Sequence, residues 1–315
     1  MKTTPVTPAD LQSSVIAVPP LCLDESGRID RIQNRRLIDH LLGGGITTFM
    51  YGGNANFYNM PLADMEDFYE FAESLDCADA WILPAVGPDY GNLQIQTALV
   101  KASRFPTVMV LPMAAISTSA GVANGIRRFS DAIGRPVILY IKREGYITPE
   151  DAGRLAADGI IAGIKYAIVR EDPADDAYLT RLIETVDRNL IISGIGERPV
   201  IVHWQKFGLR SFTSGSCCVA PALSTAILKA LQAGDIARAE EIRAKFIPFE
   251  DLRDGINPIR VLHCGVDAAG IARTGDLRPM MSNLTQEEAA RVAPAAKALL
   301  AQEQAFAGQD LAATA

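Results

Sequence analysis

Ile160-Ile161-Ala162-Gly163-Ile164-Lys165 is the stretch on which the fold turns. An uncharged run closes on a lysine, directly after the turn signal Asp158-Gly159. It is too short for a stable helix and rich in β-branched residues, so it reads as a strand buried on both faces. Upstream, Thr148-Pro149-Glu150 has the order of an N-cap, a proline at the first helical position and an acidic first turn. That predicts a helix over Pro149–Ala157, and a second amphipathic pattern, Ala177–Val186, follows the strand. A helix on either side of a fully apolar strand is the mark of parallel βαβ units, because a parallel crossover needs a connection of helix length.

The same unit recurs in both directions. Further strands are predicted at Ser14–Val18, Thr47–Tyr51, Ala80–Ala85, Thr107–Leu111, Val137–Ile141, Leu190–Ser193 and Ser211–Ser214. Helical patterns at Arg31–Leu42, Leu62–Leu75, Leu93–Arg104, Val122–Ile133 and Pro199–Lys206 separate them, and Gly43-Gly44-Gly45 supplies a helix stop. Eight strands alternating with helices favour a closed α/β (β/α)8 TIM barrel over an open doubly wound sheet. Past Ser216 only helices are predicted, at Pro221–Ala233, Asp235–Phe249, Pro258–Ala269 and Gln286–Gln304. The first completes a barrel domain of residues 1–233, and the rest form a C-terminal helical annex over 234–315, with a frayed tail from Ala307.

Composition narrows the function classes. The 315 residues carry a formal net charge of −7 with dispersed Lys and Arg, which argues against nucleic-acid or anionic-membrane binding. No apolar run reaches the ~20 residues that span a bilayer. Cys22, Cys77, Cys217, Cys218 and Cys264 are odd in number and lack metal-ligand spacing, which fits a reducing cytoplasm. His40, His203 and His263 fall in predicted helices without any spacing that joins them, so they read as structural, and no metal is predicted. Glycine spacing fails the dinucleotide fingerprint, so no such cofactor is predicted either.

In a (β/α)8 barrel, chemistry sits at the C-terminal ends of the strands. Lys165 is the most informative residue there, one of only eight lysines against 22 arginines. An amine at a barrel mouth is partly desolvated, which favours its neutral, nucleophilic form and allows a Schiff base with a carbonyl substrate. An ion-paired or solvated lysine fits the position as well. Tyr140, near the end of strand five, is placed to relay a proton or simply to cap the core.

These residues bring a family into view. Tyr140, Gly163-Ile164-Lys165, the strand-two turn Gly52-Gly53-Asn54, Gly194 after strand seven and Gly215-Ser216 after strand eight stand in an order and phase that resemble the dihydrodipicolinate synthase / N-acetylneuraminate lyase family of class I aldolases. The resemblance covers nearly the whole chain. It implies that Lys165 forms the imine and Tyr140 moves the proton. It also implies substrate binding at Gly53, Asn54, Gly194 and Gly215, no cofactor, and a homo-oligomer, dimer or tetramer, while Asn56, just after the turn, is placed to line the same pocket. Three departures stand out. The adjacent hydroxyl pair of the strand-two turn is replaced by Gly53-Asn54, leaving backbone N–H groups and the Asn54 amide to hold a carboxylate. After strand four, Pro112-Met113-Ala114-Ala115-Ile116 has no tyrosine. Beyond Tyr140 the chain reads Ile141-Lys142-Arg143-Glu144, without the family's later arginine. Arg143 then either binds a distal group of a sugar acid or pairs with Glu144.

The expectation is a lyase, aldolase or dehydratase, acting on a 2-oxo acid such as pyruvate or a 2-keto-3-deoxy sugar acid, and not dihydrodipicolinate synthesis itself. The alternative is a non-catalytic small-molecule-binding barrel derived from the same family.

Overall fold

The structure, a computed structural model, describes residues 1–113 and 116–313, the side chains of 309–313 excepted. In chain order the elements are α1 (Pro8–Gln12), β1 (Ile16–Ala17), α2 (Arg31–Gly43), β2 (Thr48–Tyr51), α3 (Leu62–Ser74), β3 (Trp81–Val86), α4 (Tyr90–Ala102), β4 (Met109–Val110), α5 (Ser119–Ile133), β5 (Val137–Ile141), α6 (Pro149–Ala157), β6 (Ile161–Tyr166), α7 (Ala177–Thr185), β7 (Ile191–Ser193), α8 (Val200–Lys206) and β8 (Thr213–Ser214). Helices α9 (Pro221–Gln232), α10 (Ile236–Arg243), α11 (Ile247–Gly255), α12 (Pro258–Ala268) and α13 (Gln286–Ala313) follow. All eight sequence-predicted strands are present, each followed by a helix, which is the succession of a (β/α)8 fold.

The chain divides into two compact units. One holds Met1–Ser13 and Asp76–Thr213. In it β3, β4, β5, β6 and β7 pair in parallel in sequence order. Every residue of β3, β5 and β6 is buried, as expected of parallel strands covered on both faces. Short α1 was not foreseen, although Thr7-Pro8-Ala9-Asp10 spells its capping box. Its Leu11 packs where a Cβ on Gly163 of β6 would come within 3.0 Å, so the glycine lets this helix close on the strand.

The other unit holds Ser14–Leu75 and Ser214–Ala315. Here β1 pairs in parallel with β2, and the Val18 N–H donates to the Ser214 carbonyl at 2.9 Å. The sequence reading of one helix over Asp235–Phe249 is corrected, since α10 ends at Arg243 and α11 begins at Ile247. Pro248 stands in the first turn of α11, where it has no N–H to extend a preceding helix. The frayed tail is corrected too. Helix α13 continues to Ala313 through a segment rich in alanine, the best helix former, while 314–315 lie outside the described residues. Buried Glu303 of this helix accepts from the N–H groups of Ala222 and Leu223, capping α9, which starts on an alanine with no side-chain cap of its own.

Candidate active site

Parallel register sets Tyr140 of β5 opposite Lys165 of β6. Both are buried, Lys165 with 5% of its surface exposed, and its Nζ lies 4.7 Å from the centroid of the Tyr140 ring. Each is the penultimate residue of its strand, so the strand reading that ended β6 at Lys165 is corrected by one residue, to Tyr166. Period-two alternation sends Tyr166 to the opposite face from Lys165. There its hydroxyl donates to Asp176, the N-cap of α7, which also accepts from the Leu179 N–H at 2.9 Å and from Arg170 at 3.1 Å. Burial pushes the Tyr140 phenol far above its ordinary range, so it stays protonated at neutral pH.

Gly194, just past β7, is required by this arrangement. A Cβ there would stand 2.7 Å from the Tyr166 carbonyl oxygen, 2.9 Å from Lys165 Cγ and 3.0 Å from Ala167 Cβ. The Tyr166 carbonyl is strand backbone and cannot move aside, so the Lys165 stem must. Gly194→Ala should therefore lower unfolding stability by about 1–3 kcal/mol. By displacing the lysine stem it should also cut turnover roughly tenfold or more. Urea unfolding and steady-state kinetics would check both, and wild-type values would show that the site tolerates the crowding.

Lys142 and Arg143 follow β5 as exposed side chains. Glu144 does not pair with these neighbours as one reading of the sequence expects: it is bonded to Arg170, from the loop after β6. A cavity of about 820 Å³ in the same unit is lined by Pro88, Tyr90, Val110, Met113, Val122 and Ile126, and does not include Lys165. The expected absence of a strand-four tyrosine falls partly on Ala114 and Ala115, which lie outside the described residues.

The second unit holds the strand-two turn. Asn54 Nδ2 donates to the Val18 carbonyl at 2.9 Å, and the Asn54 carbonyl is 2.8 Å from His263 Nε2. A carbonyl only accepts, so His263 carries its proton on Nε2. Asn56 occupies a left-handed position at φ 56°. Its amide donates to the Arg278 carbonyl at 3.4 Å and its oxygen accepts from Asn59 at 2.7 Å, which commits this side chain to the turn. Tyr51 packs on Phe68, ring centroids 4.9 Å apart.

Gly215 follows β8 and meets a residue that no sequence pattern singles out. Its absent Cβ would be 2.6 Å from Arg253 Nη2, 3.0 Å from Arg253 Cζ and 3.0 Å from Asn54 Nδ2. Arg253, on α11, is only 8% exposed. Its Nη1 donates to Ser216 Oγ at 3.1 Å and stands 3.9 Å from Glu250 Oε1. In sequence, Glu250 and Arg253 look like an ordinary i,i+3 surface pair, so no pattern pointed here.

Two histidines give a pH test. Burial lowers both His203 and His263 to about 4, with His203 Nδ1 2.8 Å from the Ser193 hydroxyl. In the unfolded chain they titrate near 6.5. Between those values the unfolded state binds protons that the folded state refuses. Stability is therefore complete above pH ~6.5 and falls as the pH drops towards ~4, by up to about 1.4 kcal/mol per pH unit for each histidine. Urea midpoints at neutral and mildly acidic pH should show this, and His203→Gln with His263→Gln should flatten the dependence. An equally steep dependence in the double variant would contradict the assignment.

Strand and helix alternate eight times, as in a (β/α)8 barrel, with a buried amine near the end of the sixth strand. The chain belongs to the dihydrodipicolinate synthetase family, whose model matches residues 12–299. That family is of lyase type, and in this coarse sense the chain is a lyase. A probable 5-dehydro-4-deoxyglucarate dehydratase of Allorhizobium ampelinum is 25% identical over 290 residues, covering 88% of this chain and 93% of the relative. A 4-hydroxy-tetrahydrodipicolinate synthase of Corynebacterium diphtheriae is 22% identical over 263 residues, covering 81% and 84%. Among solved structures, dihydrodipicolinate synthase from Bacillus clausii matches with TM-score 0.78 at 22% identity, covering 91% of this chain and 97% of that one. A prophage protein of the same family from E. coli K12, in complex with pyruvate, matches with TM-score 0.78 at 19% identity, covering 91% and 98%. At such identities the likeness shows the fold, the (β/α)8 TIM barrel. Among the described residues no helix is long and apolar enough to cross a membrane, and no group of three or more His, Cys, Asp or Glu could hold a metal ion.

Proposed function

We propose that the chain is a class I lyase in which the Lys165 amine adds to the C2 carbonyl of a 2-oxo acid. Loss of water from the carbinolamine leaves an iminium, which draws electrons from C3 and so eases C–C cleavage or β-elimination of water. The observation that carries this reading is the buried Lys165 amine over the Tyr140 ring, 4.7 Å from its centroid. By the family resemblance Tyr140 then moves the proton, and Gly53, Asn54, Gly194, Gly215 and Arg143 are the residues that bind the acid. Dehydration of a 2-keto-3-deoxy sugar acid is the reaction favoured. The A. ampelinum relative is named for that class of chemistry, and the sequence lacks the strand-four tyrosine and later arginine expected of a synthase. The structural neighbour solved with pyruvate supports a 2-oxo acid as ligand. By the family resemblance the enzyme works in the cytoplasm as a dimer or tetramer.

Borohydride added with pyruvate or a 2-keto-3-deoxy sugar acid should fix a covalent adduct on Lys165, read by peptide mass. An active enzyme whose Lys165 stays unmodified would remove the mechanism. The Asn54 amide is already bonded to Val18, which favours a second reading, a barrel that binds the acid without turning it over. Exchange of the pyruvate methyl protons into deuterated water separates the two, since only a working imine promotes it.

A further inference from the structure

We propose that Lys142 holds a second, distal carboxylate of the substrate, so that the acid joined to Lys165 is a 2-oxo diacid and not one that ends in a neutral hydroxyl. The proposal rests on the reading of Lys165 as the imine-forming amine and narrows the class of acid it takes. All the residues involved belong to the unit that carries β3 to β7.

Placement follows from the strand ladder. Tyr140 and Lys165 are register partners whose side chains meet on one face of the sheet, the amine 4.7 Å from the ring centroid. The next pair, Ile141 and Tyr166, is fully buried on the other face. The ladder goes one bond further, since the Ala167 N–H donates to the Ile141 carbonyl at 2.8 Å. Alternation of an extended chain therefore returns Lys142 to the face of Tyr140 and Lys165, nearer the strand ends where barrel enzymes keep their sites. Arg143 comes after it, where the chain bends into the loop leading to α6. Two residues of parallel strand rise about 6.6 Å, on the order of the length of a five- or six-carbon acid. An acid bonded through C2 to the Lys165 amine thus brings its far end to Lys142.

Charge singles this lysine out. The side chain is exposed, so a ligand can reach it, yet the groups around it remove enough water to hold its pKa below the ordinary lysine range. It has no hydrogen-bond or ion-pair partner among the described residues. Glu144, the nearest acid in the chain, is bonded to Arg170, which also binds buried Asp176 at 3.1 Å. A partly desolvated cation without a counter-charge gains more from an incoming anion than a fully hydrated one does. A carboxylate supplies that charge and a hydroxyl does not, so the far end of the acid is where Lys142 discriminates. Its compact ammonium on a flexible stem suits one terminal carboxylate.

Two probes of the same carbon skeleton test this, 2-oxoadipate and 6-hydroxy-2-oxohexanoate, with pyruvate, which has no distal group, as the reference for each variant. The readout is the concentration that gives half-maximal borohydride trapping on Lys165 in the full-length protein. The diacid should trap at a roughly tenfold lower concentration than the hydroxy acid, and Lys142→Met should shrink that preference to about twofold or less. Lys142→Arg should restore it, because the charge returns. Thermal melts establish that each variant is folded. Equal trapping of the two probes by the native protein overturns the proposal, as does a preference that survives in Lys142→Met. Arg143→Gln completes the set: a preference lost there and kept in Lys142→Met assigns the far carboxylate to Arg143. Pyruvate trapping without any preference sinks this proposal and leaves the lyase. No adduct with any of the three acids sinks the lyase, and this proposal with it.

Discussion

Lys165→Met should abolish the borohydride-trapped adduct and slow pyruvate methyl exchange by roughly 10³-fold or more, while leaving the melting temperature near that of the parent. Methionine keeps the unbranched stem beside Gly194 and over the Tyr140 ring and removes only the amine. Packing is thereby held nearly constant and chemistry is not. An imine mechanism has no substitute for its nucleophile, since every later step draws electrons into the iminium nitrogen. Lys165→Arg should be as inactive, because a guanidinium retains charge and bulk but does not add to a ketone. Residual exchange within about tenfold of the parent would show that another group does the work. Within β5 no amine stands opposite Lys165, since Tyr140 and Ile141 are the partners of Lys165 and Tyr166.

How far this site could be read in advance follows from what each residue depends on. Val137–Ile141 was legible residue for residue, because a β-branched run that ends at charges has few alternatives as a strand. Lys165 stood out because a lysine after an apolar run is unusual wherever the run lies. Strand six was cut short at it, because the tyrosine that follows is satisfied by Asp176, ten residues on, and no local rule ties the two. Arg253 was illegible for a related reason. Its contacts with Ser216 and Gly215 depend on α11 starting afresh at Ile247, which turns one side of that helix towards the segment after β8. A single helix over Asp235–Phe249 would have left Arg253 beyond its end. Gly215 was noted as a motif position, but a glycine shows that something comes close without showing what.

Tyr140→Phe should separate the two halves of the chemistry. Phenylalanine preserves the ring beneath the Lys165 amine and removes the hydroxyl, so the imine still forms and borohydride still traps it. Proton transfer loses its relay, and methyl exchange should slow by about 10²–10³-fold, the usual worth of a positioned acid or base. Burial holds the phenol well above its ordinary range, which makes Tyr140 a proton donor or a shuttle and not a standing phenolate. Its ionisation then lies beyond the pH range in which the protein is assayed. An alkaline or acidic limb in the pH–rate profile must come from another group, so the limbs of the parent should persist, displaced only in height, in Tyr140→Phe. A limb that disappears with the hydroxyl would assign that titration to Tyr140 and show the phenol to be far more acidic in the working enzyme than its burial allows. Exchange at the parental rate would leave proton transfer to the carboxylate of the substrate or to water, with Tyr140 serving only as the floor under the amine.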